Sequence, residues 1–234
     1  MRRLVRIIAW TMVWSGGMTL GLVGYQLFVT DLINHSVQAE ARDELVDELE
    51  FRRQDLPAPV VVEESPSPTV ATSQPDPISY QPEDVDEEGV PIADFRIPRI
   101  GLDAVVFEGV SPATLRNGPG HMPWTPVPGQ PGNAVISGHR TTYGAPFYDL
   151  DLLEPGDEIE IDTAIGTHMY TVRETVIVTP TDVWVTDTRP GAWLTLTTCH
   201  PKLSARERLI VFAELTGGPN LEYVEFLATQ TAGA

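Results

Sequence analysis

The chain has 234 residues, with 15 Lys and Arg against 33 Asp and Glu and a formal net charge of -18. That length suits one domain of ordinary size plus extra segments. Such acidity leaves no clustered basic surface for phosphates, so nucleic acid is not expected as a partner. A single cysteine, Cys199, excludes an internal disulfide framework.

Arg2, Arg3 and Arg6 precede an uncharged run from Ile7 to Thr30 that includes Trp10, Trp14, Leu20, Leu22, Leu27 and Phe28. As a helix those 24 residues reach about 36 Å, enough for a hydrocarbon core of about 30 Å. Residues 1–30 are therefore expected to be a cytoplasmic tip and a transmembrane helix. The alternative is a cleaved signal peptide, with Ala39-Glu40-Ala41 as its small-x-small pattern. Against it, the apolar run outlasts an h-region of about 7–15 residues, and the tripeptide lies well past the run's end. The arginines place the N-terminus in the cytoplasm and everything after Asp31 outside, a single pass of the cell membrane. Gly17 and Gly21 form a GxxxG pair through which two such helices would meet as a weak homodimer.

Residues 31–54 contain helix formers, with Ile33, Val37, Ala41, Leu45 and Leu49 at roughly helical spacing among acids. This juxtamembrane helix either continues the membrane helix outward or packs as a short amphipathic helix. From 55 to 90 the composition turns to Pro, Ser, Glu and Asp, including Pro57, Pro59, Pro66, Pro68, Pro75, Pro77 and Pro82. Too little apolar surface is available there to offset ordering entropy, so a disordered Pro-rich spacer is expected. Asp31 to Val90 holds sixteen acids against Arg42, Arg52 and Arg53, which is -13 of the net charge. That charge extends the stalk.

From 91 to 217 the sequence shows short strand-like runs broken by Gly and Pro. These are Phe95–Ile97, Leu102–Val106, Asn133–Ser137, Glu158–Asp162, His168–Val178, Trp193–Cys199 and Glu207–Glu214. Alternation with long helices is lacking, which favours an all-β antiparallel barrel or sandwich over a parallel α/β sheet. Short helical turns fit Pro112–Leu115 and Pro146–Leu153. Residues 218–234 form a tail too short and polar for a second membrane span.

The run Trp193-Leu-Thr-Leu-Thr-Thr-Cys199 reads as a half-buried strand that delivers a thiol at its end. A lone cysteine is most often a small buried hydrophobe. An unpaired thiol outside the cell is open to oxidation, however, and needs a reason to be kept. Acyl transfer by a thiolate requires an acid–base partner and a counter-charge for the oxyanion. Of five histidines, His35 lies in the stalk and His168 inside a strand-like run. His200 neighbours Cys199 and faces the opposite side if the strand continues. His139 and His121 remain, and His139 ends an apolar strand before a polar loop, where chemistry is commonly presented. Arg206 and Arg208 are the candidate cations. Zinc held by Cys199 with His121, His139 or His200 lacks the paired spacings of such sites, so no metal is expected.

The segments Ile136-Ser-Gly-His139-Arg-Thr-Thr-Tyr143-Gly-Ala-Pro-Phe147, Thr195-Leu-Thr-Thr-Cys199-His-Pro and Ser204-Ala-Arg-Glu-Arg208-Leu-Ile-Val resemble the sortases, cysteine transpeptidases of Gram-positive surfaces. They look most like the class E or class D enzymes of actinobacteria. The resemblance covers roughly Phe95 to Leu215. It implies an eight-stranded sortase-like β-barrel, preceded here by the transmembrane helix and disordered stalk. It also implies Cys199 as nucleophile, His139 as acid–base group, and Arg208, directly before its apolar strand, at the oxyanion. Thr198 and Tyr143 are the candidate substrate contacts. The implied reaction cleaves a secreted protein's C-terminal sorting motif, of LAxTG or LPxTG type, between Thr and Gly. The protein is then passed to the amine of a lipid-linked peptidoglycan precursor at the membrane. Pilin polymerisation and plain cysteine-peptidase hydrolysis are the alternatives. No organic cofactor is expected. Some sortases use calcium, and Asp149, Asp151, Glu154, Asp157 and Glu158 leave calcium open, although their spacing is not that of an EF-hand.

Overall fold

The computed structural model describes residues 2–25, 30–55 and 88–231. Most of the Pro-rich spacer expected at 55–90 lies outside the described residues. Helix α1 (Arg2–Gly24) and helix α2 (Thr30–Asp55) precede eight strands. The strands are β1 (Pro91–Ile97), β2 (Leu102–Glu108), β3 (Gly120–His121), β4 (Gly132–Ser137), β5 (Glu158–Thr163), β6 (Gly166–Val178), β7 (Ala192–His200) and β8 (Glu207–Gly217). A one-turn helix α3 (Thr114–Asn117) leads into β3, and helix α4 (Leu221–Thr231) follows β8.

The strands close into a barrel in the order β1-β2-β3-β4-β7-β8-β6-β5. Antiparallel pairing, the expected mode, is interrupted twice, because β2–β3 and β4–β7 are parallel. A parallel pair needs a long crossover. For β4–β7 the returning chain runs through β5 and β6 on the far side of the barrel, and β3, two residues long, is too short to leave a periodic signal. Strand alternation sorts the side chains: Leu194 and Leu196 of β7 and Leu209 and Val211 of β8 enter the main core with Phe95, Ile136 and Tyr170. Trp193, Ile210 and Phe212 face outward and pack under Val185 of the β6–β7 connection.

Among the described residues no helix is long and apolar enough to cross a membrane. This does not bear out the span expected over Ile7–Thr30: the described helix opens on charged residues, and 26–29 at the far end of the run lie outside the description. Of the two courses open to 31–54, the packed one holds. Ala41, Leu45 and Leu49, four residues apart, are buried against Val105, Phe107 and Ala164. Arg42 pairs with Asp94 and Asp103, and Arg53 with Asp162. Those arginines are more than a third exposed, so each pair adds about 0–1 kcal/mol. A fully buried leucine adds about 1.5–3 kcal/mol, so the apolar stripe decides the docking. Gln38 completes it: its Oε1 accepts from Val105 N at 2.7 Å and its Nε2 donates to Val105 O at 3.3 Å. The unpaired edge of β2 is thereby satisfied by a side chain. The tail expected at 218–234 is largely helical, and Val224 of α4 joins the main core.

His168 on β6 is fully buried. Its Nε2 lies 3.1 Å from Thr163 Oγ1, while Nδ1 has no partner. Burial pushes its pKa down to about 4, with small opposing effects of Asp162 and Arg53. Between about pH 6.5 and 4 the unfolded chain therefore binds a proton that the folded chain refuses, and stability falls as pH falls through that window. The loss attributable to His168 at pH 4.5 is about 2–3 kcal/mol. In urea unfolding at pH 7 and pH 4.5, His168→Gln should lose about 2 kcal/mol less on acidification than the parent.

Candidate active site

The parallel β4–β7 register pairs Ser137 with Thr197. Two residues further along the two chains come His139, just past the end of β4, and Cys199 on β7. The chains remain tied at this level, since Gly138 N donates to Thr197 O at 3.1 Å and Thr198 Oγ1 donates to Gly138 O at 2.7 Å. On its other side β7 is antiparallel to β8, with Cys199 directly opposite Arg208. Adjacent strands lie about 4.8 Å apart. A half-buried imidazole, a half-buried free thiol and a half-buried guanidinium thus form one row across β4, β7 and β8.

Arg208 Nη1 donates to Ala205 O and Glu207 O, both at 3.0 Å, which holds the guanidinium at the foot of the β7–β8 loop. Arg206, the other candidate cation, is exposed. Burial lowers the His139 pKa below the ordinary histidine value, and the Arg116 charge lowers it further. Of the candidate substrate contacts, half-buried Tyr143 packs its ring against the His139 ring at 5.0 Å between centroids. Thr198 is 3% exposed, with its hydroxyl on Gly138 O.

His121 and His200 are occupied elsewhere. His121, the alternative base, is 1% exposed, with Nδ1 2.8 Å from Glu108 Oε2 and Nε2 3.0 Å from Pro126 O. His200 faces away from the row, and its Nδ1 accepts from Arg140 Nη1 at 3.0 Å. Arg140 had not been singled out by the sequence, although it directly follows His139. Its guanidinium is 2% exposed, donates to Cys199 O at 3.3 Å and pairs with Asp151 at 2.8 Å. It fastens the first residue of the His139 loop to the strand end that carries the thiol. The loop is also closed on itself, as Phe147 N donates to His139 O at 3.1 Å. Glycine is required at 138, where a Cβ would stand 2.6 Å from the Phe147 ring. Among the described residues no cluster of three or more His, Cys, Asp and Glu side chains is placed to hold a metal ion.

The family model described as the sortase domain matches residues 95–216, just over half of the chain. Sortase SrtE1 of Streptomyces coelicolor is 28% identical over 226 residues, covering 90% of this chain and 56% of its own length. Sortase D of Bacillus subtilis is 32% identical over 124 residues, covering 53% and 59%. The chain thus spans little more than half the length of these curated relatives. Among solved structures, sortase E from Streptomyces avermitilis is 38% identical with a TM-score of 0.52, covering 56% of this chain and 91% of that one. A sortase D5 transpeptidase of Clostridium perfringens is 27% identical with a TM-score of 0.61, covering 78% and 99%. Fold and family match together define the class, a closed β-barrel of the sortase type. The chain belongs to the sortase family.

Arg140 Nε also donates to Tyr148 O at 3.4 Å, so removing the side chain leaves the Cys199 and Tyr148 carbonyls short of a donor and Asp151 short of its closest cation. Arg140→Ala should therefore lose on the order of 3 kcal/mol of stability in urea unfolding. Arg206→Ala, at an exposed position, should stay within about 0.5 kcal/mol of the parent.

Proposed function

We propose that the chain is a membrane-anchored transpeptidase that cleaves a C-terminal sorting motif of LAxTG or LPxTG type and transfers the protein to a cell-wall precursor amine. The observation that supports this reading is the β4–β7–β8 register, which pairs Ser137, two residues before His139, with Thr197, two before Cys199, and pairs Cys199 with Arg208. The Cys199 thiol gives its proton to His139, its Sγ attacks the Thr carbonyl carbon, and the oxyanion that forms is met by the Arg208 guanidinium. Arginine suits that place because it keeps its proton at working pH and offers donors in a planar fork. As the C–N bond breaks, His139 gives its proton to the leaving glycine amine, and a thioester remains on Cys199. An incoming amine then attacks the thioester carbon, His139 takes the amine's proton, and as the C–S bond breaks that proton passes to the sulfur and restores the thiol. A His139 pKa below the ordinary value leaves the imidazole unprotonated at neutral pH, ready to take the proton it then passes on.

Anchoring is supported by the Arg2, Arg3 and Arg6 cluster ahead of the uncharged run. It is also supported by the exposure of Ile7, Trp10, Trp14, Met18 and Leu22 around the described α1. With the N-terminus cytoplasmic, the barrel stands outside, where sorting-signal proteins and the lipid-linked acceptor arrive. The reading needs no cofactor. Asp149 is engaged by Lys202, Asp151 by Arg140, and Asp157 by the Glu154 amide, so three of the acids considered for calcium already have partners.

The test is incubation of the protein with LAxTG and LPxTG peptides, with and without an amine, and identification of products by mass. Cleavage between Thr and Gly, with the amine joined to Thr when it is present, is the expected result, unchanged by chelator. Hydrolysis alone in the presence of amine would leave a peptidase. Cys199→Ala should abolish cleavage, and Arg208→Lys should reduce it on the order of 10²-fold or more. Arg206→Lys should stay near the parent, and an equal or greater loss there would move the oxyanion role off Arg208.

A further inference from the structure

The end of the His139 loop is reached from an unexpected direction. Tyr143, Gly144 and Ala145 have φ of 53, 73 and 43° in succession, so the loop after His139 is held in a left-handed course. For Tyr143 and Ala145 that course is strained and persists only where surroundings impose it. Part of those surroundings is Asn34 of α2, whose Oδ1 would lie 2.3 Å from a Cβ placed on Gly144. The same Asn34 donates through Nδ2 to Arg116 O and Asn117 O, both at 2.9 Å, and Gln38 Nε2 donates to Asn117 O at 2.8 Å. The carbonyls at the end of α3, which a one-turn helix leaves unpaired, are thus taken up by α2 side chains. Fixed in this way, α3 sets the Arg116 guanidinium 5.8 Å from the centre of the Tyr143 ring, and that ring leans on His139.

We propose that Arg116 is a positioning residue for His139, and that helix α2 holds Arg116 in place through Asn34. The proposal rests on the reading of His139 as the acid–base group. It makes α2 a part of the catalytic unit, so that the working domain begins at Thr30 and not at the first strand. The titratable and charged groups facing His139 are Arg116 from α3, Tyr143 from its own loop, Cys199 from β7 and Arg208 beyond it on β8. Of these, Arg116 is the one whose cation acts on the ring from the loop side, and it lowers the His139 pKa. The ring contact with Tyr143 fixes where the imidazole points, and the charge fixes when it holds its proton.

The test is an NMR titration of the full chain in detergent, carrying 13C-labelled histidine. Arg116→Gln should move the His139 midpoint to higher pH while leaving that of His200 in place. Arg116→Lys, which keeps the charge, should restore the parent midpoint, and Asn34→Ala should shift it in the same direction as Arg116→Gln. In peptide cleavage at fixed pH, Arg116→Gln should change kcat by about threefold or more and KM by no more than about twofold, because the residue acts through His139 without binding substrate. An unmoved His139 midpoint in Arg116→Gln, or an equal shift in Arg116→Lys, would overturn the role of Arg116. An unmoved midpoint in Asn34→Ala would overturn the role of α2. If the midpoints shift as expected and the parent cleaves no peptide, the coupling stands and the transpeptidase reading falls.

Discussion

The parallel pairing of β4 with β7 is the constraint on which the site depends. His139 and Cys199 are sixty residues apart in sequence, and neither strand alone brings an imidazole to the level of a thiol. A shift of the pairing by one residue would turn one of the two side chains to the opposite face. The register is defended on both sides of the strands. Inside, Ala134, Ile136, Leu194 and Leu196 are fully buried. Outside, buried Asn133 accepts from Thr195 Oγ1 at 2.6 Å and donates to Val185 O at 3.0 Å. A slip would thus expose core leucines and leave a buried amide unpaired, each at a cost of a few kcal/mol.

At the open end of the pair the apolar core gives out and polar ties take over. Thr198 on Gly138 O is a neutral hydrogen bond contributing about 1 kcal/mol. Arg140 is a different kind of tie, because a buried guanidinium is costly unless its donors are satisfied. Here they are divided among Asp151, Cys199 O and the His200 ring. Such a group adds little over an apolar side chain of its volume, yet its removal is costly and it permits few arrangements, so it fixes the His139 loop against the strand end that carries Cys199. The two neighbouring histidines that are not in the row, His121 and His200, are each engaged by polar partners.

Much of this was legible in the chain because it rests on short-range pattern. The period-two run ending at Cys199, the glycine before His139, and Arg208 at the head of an apolar strand each show their local form, and the three motifs together point to the family. Seven of the eight strands announce themselves by alternation, whereas β3, at two residues, has no period to read. Arg140 was hidden by its type, since an arginine after a strand is ordinarily a solvated residue and only the fold shows that it is buried. The docking of α2 was hidden for a related reason. Its Val37-Ala41-Leu45-Leu49 stripe says that one face is covered, but not by what, and Asn34, Gln38 and Arg116 carry no periodic signal. Parallel pairing across some fifty residues is likewise a long-range fact that composition and spacing do not encode.

The central claim is that His139, and not its nearer neighbour in sequence His200, stands beside Cys199. The most direct measurement needs no peptide substrate: the pH profile of the rate at which iodoacetamide alkylates Cys199, compared among the parent, His139→Ala and His200→Ala. The account predicts that the profile changes form when His139 is removed and keeps its form when His200 is removed. A profile that follows His200, or that ignores both histidines, would contradict it.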